Sequence, residues 1–265
     1  MVFLLEIIIL AIIQGISEFI PISSSAHLII FRDIFLIGKN TISSDIALTF
    51  DIALHLGSLM AIVVAFYKDF INILKIKKDY SFFCNIAIAT IPAAIFGVLF
   101  EDVIDNYIRK KYLLICISLI VVGIAIYFID KNRKESKKID DISIFDSLFV
   151  GIIQIFALIP GFSRSGTTIS ALRFLKVNRE DSTKFSFYLA FPIILGAFIF
   201  QLLKVDYEII ILNYHSLVVG TLISFAVGLL CIKLLLKYVK SNNFKIFMVY
   251  RIIFGLIIMI YLLFN

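Results

Sequence analysis

With 265 residues, 61% of them hydrophobic, the chain is far more apolar than a soluble domain, which averages about 45–50%. A mean hydropathy of +1.04, in long runs without strand alternation, excludes a water-soluble core and a β-barrel and leaves a polytopic all-α membrane protein. The net charge of +6 does not mark a nucleic-acid binder, because Lys and Arg cluster in short loops between apolar runs, where they report orientation.

In chain order, residues 2–20 are apolar and read as mature chain, not a leader: no basic region precedes them, and Glu6 comes before most of the stretch. A polar break follows at Pro21–Ser25, then an apolar piece, 27–37, too short to cross a bilayer. Spans are expected at roughly 46–67, 81–100 and 112–129. A basic linker, 131–141, leads to apolar residues 142–159, a second break at "PGFSRSG" and another short piece, 168–175. Further spans are expected at roughly 183–203, 215–236 and 246–264. Cys84, Cys116 and Cys231 lie in or beside apolar spans without CxxC spacing and read as small core residues.

Each break, followed by a piece too short to span, predicts a re-entrant helical hairpin. Irregular backbone at that depth needs protein or a wet cavity around it. The two regions also match each other: "IIQGISEFIPISSSAHL" (12–28) aligns without gaps to "IIQIFALIPGFSRSGTT" (152–168). The single membrane domain 1–265 therefore reads as two repeats, 1–130 and 142–265, each a hairpin plus three spans, six in all. Three crossings per unit invert the second copy. Segments 68–80, 131–141, 173–184 and 233–245 hold seventeen Lys and Arg against six in 32–45, 101–111 and 204–215. That bias places the first set in the cytoplasm and lets the hairpin tips meet near the midplane.

Arg164 is a permanent charge at membrane depth, where charge marks function. Ser163, Ser165, Gly166 and Thr168 surround it, and with helix N-terminal amides they describe a cradle for a phosphate oxyanion. A structural pairing of Arg164 with Glu18 is the blander reading. In the first break Gln14 and Glu18 stand at i, i+4, and Ser24 and His27 at i, i+3, the spacing of a nucleophile and its base. Glu18 fits a divalent metal, a partner for His27, or an acid/base. Ser23 and Ser25 suit a helix cap. Asp51 and His55 stand one turn apart, suited to lining the mouth or binding metal and equally to structure. Arg251, one turn inside the last span, reads as snorkelling; Glu101, Asp102 and Asp105 read as a solvated rim.

With these motifs in view, the chain resembles the bacterial undecaprenyl-diphosphatase family, the bacitracin-resistance phosphatases. Gln14–Glu18 match its (E/Q)xxxE pattern, Pro160–Thr168 its PGxSRSxxT pattern, and His27 its essential histidine. Gln at position 14 leaves one carboxylate fewer for a metal. The resemblance implies hydrolysis of undecaprenyl diphosphate, recycling the lipid carrier of peptidoglycan synthesis in the bacterial cytoplasmic membrane. It also implies a part in bacitracin resistance, Mg²⁺ or Ca²⁺ as cofactor and a site open to the outer, periplasmic face. In this scheme Arg164, Ser163, Ser165, Gly166, Thr168 and Ser23 hold the diphosphate, while Glu18, with Gln14, holds the cation or orients His27. His27 activates Ser24 or a water. Expected partners are the polyprenyl diphosphate and membrane lipid, with a homodimer left open. The rival reading is a lipid or solute transporter on the same inverted repeat.

Overall fold

A computed structural model describes residues 2–38, 44–75, 80–131 and 135–264. Parts of the expected loops 32–45 and 68–80 and of the linker 131–141 lie outside those residues. The first apolar run forms α1 (Val2–Ser17). After the break come α2 (Ser24–Ile29), a π-helical turn (Ile30–Ile34), α3 (Ser44–Ala65) and the short α4 (Tyr67–Lys75). Then follow α5 (Tyr80–Leu99), the single turn α6 (Glu101–Val103) and α7 (Tyr112–Lys131). The rest of the chain forms α8 (Ile144–Gln154), α9 (Arg164–Phe174), α10 (Arg179–Leu202), α11 (Tyr207–Val239) and α12 (Lys245–Phe264). Among the described residues there is no strand, only an isolated bridge between Lys137 and Val177.

Five helices are long and apolar enough to cross a membrane: 81–99, 112–131, 179–202, 207–239 and 245–264. The first expected span corresponds to α3, whose stretch 49–65 is a shorter apolar helix, as are 4–17 and 144–158. Outward-facing Leu99, Leu203, Leu212 and Phe264 are largely exposed, an apolar exterior suited to lipid rather than water. The fold is thus an all-helical, multi-pass membrane protein.

Helix contacts run across the halves. In the first half α3 and α1 pack on α11, while α5 packs on α8 and α7 on α12. The α3–α11 crossing depends on Gly57: a Cβ there would run into the Thr221 carbonyl and lie 2.9 Å from both the Phe225 nitrogen and the Ser224 Cβ. Small residues let helices approach closely where lipid provides no hydrophobic drive. Beneath the two breaks, Phe19 meets Phe187 edge to face at 5.5 Å within a core of Ile62, Phe66, Ile169, Tyr188 and Ile232. Cys116 and Cys231 sit buried and reduced, and Cys84 is exposed.

At the end of α7, Asp130 takes Arg173 Nε at 2.8 Å and Arg179 Nε at 2.8 Å, and accepts the Phe244 amide at 3.4 Å. Arg173, counted above among orientation charges, is in fact 1% exposed and belongs to this clasp between α7, α9, α10 and the start of α12. Removing one member of a buried pair leaves an uncompensated charge. Asp130→Ala should therefore cost about 3–5 kcal/mol, read as a fall in melting temperature in detergent, whereas Glu135→Ala, on the exposed rim of the cluster, should change it little.

Candidate active site

Both breaks are built alike. Ser23 has φ 79° and its Oγ accepts the Ala26 amide; Ser163 has φ 70° and its Oγ accepts the Gly166 amide. Positive φ at a non-glycine residue costs about 1–3 kcal/mol and persists only where its surroundings fix it. They do so here. The Ser23 carbonyl accepts from His27 Nδ1 at 2.7 Å, and Ser23 Oγ accepts the Gly161 amide of the other break at 3.1 Å. Ser165 Oγ reaches back to the Ile20 carbonyl at 3.4 Å. Gly161, at φ 101°, has no room for a side chain, since a Cβ would sit 2.7 Å from the Ile115 carbonyl. The two breaks are in direct contact.

At their junction Glu18 collects three donors. Arg164 Nη2 bonds Oε1 at 2.7 Å; Ser24 Oγ bonds Oε2 at 2.7 Å and Gln14 Nε2 bonds it at 3.0 Å. Arg164 also donates to the Ser186 carbonyl at 3.2 Å. Thr168, fully buried, bonds Ser186 Oγ at 2.7 Å and the Arg164 carbonyl at 2.9 Å, so it steadies Arg164 from behind. Gln14, Glu18, Ser23, Ser163, Ser165 and Thr168 are buried, and Gly166 is too; Ser24, Ser25, Arg164 and His55 are partly open.

His27 is placed otherwise than its spacing suggests. Ser24 does not bond it. Nδ1–H donates to the Ser23 carbonyl, which leaves Nε2 to accept from Tyr250 Oη at 2.7 Å, and the ring stacks on Phe254 at 4.5 Å. Both nitrogens are occupied, so the expected Ser24–His27 pair is replaced by a Ser24–Glu18 pair.

Arg251 does not snorkel. It is wholly buried, and its guanidinium donates to the carbonyls of Leu119 (2.9 Å), Pro21 (3.1 Å), Ser118 (3.4 Å) and Gly161 (2.5 Å). Pro21 and Gly161 are equivalent positions of the repeated motif, so one side chain holds the same carbonyl in both breaks. Position near the end of a span hid this role, although a charge inside an apolar helix was the available signal. Tyr250 and Ser186 were also missed and carry no motif. Asp51 is taken by a two-pronged pair with Arg32, 2.6 and 3.2 Å, and Glu101 pairs with Lys204.

Among the described residues no group of three or more His, Cys, Asp or Glu is arranged to hold a metal. Glu18 still has a partner for a hard cation in Gln14, whose Oε1 is buried without a hydrogen-bond partner. These residues fit an ion that takes its remaining ligands from substrate phosphates.

The sequence profile of the family described as bacitracin resistance protein BacA matches residues 7–257. The chain belongs to this family. Relatives named undecaprenyl-diphosphatase extend over nearly all of it. The protein of Caldicellulosiruptor bescii is 40% identical over 97% of each chain. That of Enterococcus faecalis is 34% identical over 97% of this chain and 96% of its own; that of Methanococcus aeolicus is 36% identical over 97% and 98%.

Losing the Arg251 grip would leave buried carbonyls of both breaks unsatisfied, at about 1–3 kcal/mol each. Lysine cannot reproduce a planar fork that reaches four acceptors. Arg251→Lys should lower the melting temperature by several degrees and the family's activity at least ~10²-fold, measured on purified protein; a variant that retains full activity would show the grip to be dispensable.

Proposed function

We propose that the chain hydrolyses undecaprenyl diphosphate to undecaprenyl phosphate and inorganic phosphate. The carrying observation is the Arg164–Glu18–Ser24 cluster, where a fixed cation, a carboxylate and a hydroxyl from two distant segments meet at 2.7 Å. The names of the family relatives support the substrate.

Ser24 already donates its hydroxyl proton to Glu18 Oε2, which leaves an Oγ lone pair for in-line attack on the terminal phosphorus. The bond to the bridging oxygen breaks, and prenyl monophosphate leaves with that oxygen. Glu18 takes the serine proton and passes it to the departing prenyl phosphate; as a carboxylate again it takes a proton from the attacking water and returns it to Ser24 Oγ as the P–Oγ bond breaks and phosphate leaves. Arg164, half-committed to the Ser186 carbonyl and half to Glu18, turns its donors to the phosphoryl oxygens, where charge concentrates in the transition state. His27 acts as a positioning residue, since it fixes the Ser23 carbonyl and hence the turn that presents Ser24. Ser163, Ser165, Gly166 and Thr168 shape the cap that aims Arg164. A divalent cation held by Glu18 and Gln14 would neutralise diphosphate oxygens.

The same reading extends to the membrane. Two short arms on each side of a break support re-entrant hairpins, and the matched cross-contacts of the halves support six spans in an inverted repeat. The basic loops lie on the cytoplasmic face of a bacterial inner membrane, and the site opens outward. The prenyl tail lies among helices facing lipid. A transporter would have no use for a hydroxyl bonded to a carboxylate beside a phosphate-binding arginine.

Phosphate release from a prenyl diphosphate by detergent-purified protein, with no gradient present, tests this. Arg164→Ala and Glu18→Gln should each lose about 10²–10⁴-fold in kcat, Ser24→Ala should abolish a trapped phosphoenzyme, and EDTA should stop turnover until Mg²⁺ or Ca²⁺ is added back. Unchanged release in the Arg164 and Glu18 variants would refute the assignment.

A further inference from the structure

Close to Glu18 stands a side chain that the scheme above leaves idle. His55, on α3, donates Nδ1–H to the Asp51 carbonyl at 2.7 Å. That bond fixes the tautomer and leaves Nε2 with its lone pair exposed, the arrangement by which proteins prepare a histidine for a metal. Nε2 lies 3.9 Å from Glu18 Oε2. This is too long for a hydrogen bond, but two donors sharing one ion at bonds of about 2.0–2.2 Å stand roughly 3–4 Å apart. The ring is a third exposed, so a ligand can reach it. Asp51 does not compete, because Arg32 holds both of its oxygens. The Gln14 Oε1, buried and without a partner, belongs to the side chain already bonded to Glu18.

We propose that His55 Nε2 completes, with Glu18 and Gln14, the seat of the divalent cation. Mn²⁺, which takes the same carboxylate, carbonyl and phosphate oxygens as Mg²⁺, is the paramagnetic probe of this seat. The site is half-built: Glu18, His55 and Gln14 come from the protein, and diphosphate oxygens supply the remaining positions. This inference rests on the diphosphatase reading only for those outer ligands.

The test is pulsed electron paramagnetic resonance of Mn²⁺ added to the full-length protein in detergent, with and without inorganic pyrophosphate. The expected result is nitrogen modulation from a directly bound imidazole. It should change to the ¹⁵N pattern on histidine labelling, vanish in His55→Gln and persist in His215→Gln. Mn²⁺ binding should weaken at least 10-fold in His55→Gln. The label shows a histidine donor in the wild-type protein even if the variant does not fold, and His27 is not that donor because both of its ring nitrogens are already bonded. Absence of imidazole modulation in the wild type, its persistence in His55→Gln, or unchanged Mn²⁺ affinity in that variant overturns the proposal. Wild-type protein that releases phosphate yet shows no imidazole signal overturns this inference alone; a wild type inactive with every ion overturns the diphosphatase reading and leaves the cation seat standing.

Discussion

A helix broken inside an apolar interior strands its carbonyls and amides, and nothing in the surroundings can solvate them. Two breaks in one interior double the problem, and here each is solved largely by the other. Ser23 accepts the Gly161 amide, Ser165 donates to the Ile20 carbonyl, and Arg251 grips Pro21 and Gly161 together. The breaks are thus stable as a pair and not singly. The junction that results is rigid, which is what a site needs if it is to hold reacting atoms within tenths of an ångström.

Satisfying the backbone also decides where charge can stand. Arg251 is wholly buried and donates to four backbone carbonyls, so it serves structure. Arg164 faces a carboxylate and a carbonyl at the open side of the junction. Desolvating such a pair costs several kcal/mol per ion, and the cost is tolerable because each ion has further hydrogen bonds. In the proposed scheme an anion entering the junction competes for Arg164, so Glu18 loses its Arg164 partner while Ser24 remains bonded to it. On that reading, substrate binding and activation of the hydroxyl are coupled through one ion pair.

Much of this was legible in the sequence. Apolar runs separated by basic loops located most helices to within a few residues, because lipid demands internal backbone pairing; α11 is the exception, beginning at Tyr207, eight residues before the expected span and inside the expected loop 204–215. Polar residues in the breaks marked Glu18, Ser24 and Arg164, since such groups are too costly at depth to be incidental. What could not be read was direction. The i, i+3 spacing put Ser24 and His27 on adjacent positions of a helix, but α2 begins at Ser24 itself. Its first side chain therefore turns back toward Glu18, while His27 turns to Tyr250 and Phe254 on α12, more than two hundred residues away in sequence. Arg251 was misread for a similar reason: distance from a helix end says nothing about which neighbour occupies the intervening space. His55 was noted for its spacing to Asp51, yet the informative partner is Glu18, which only tertiary packing supplies.

The likeness of the two motifs explains why the site is lopsided. Where the copies agree, at Ser23 and Ser163 and at Ser25 and Ser165, the residues build turns and helix starts. Where they differ, at Glu18 against Leu158 and Ser24 against Arg164, the proposed scheme divides the chemistry between them. Two identical tips meeting face to face would bring like groups together: two carboxylates would repel, and two guanidiniums would have no base to activate a nucleophile. A diphosphate needs a cation to bind it and a hydroxyl with a carboxylate to attack it, and those demands conflict at a single position. Shared positions that keep the fold, with divergent positions that assign the acid and hydroxyl to one tip and the guanidinium to the other, satisfy both demands.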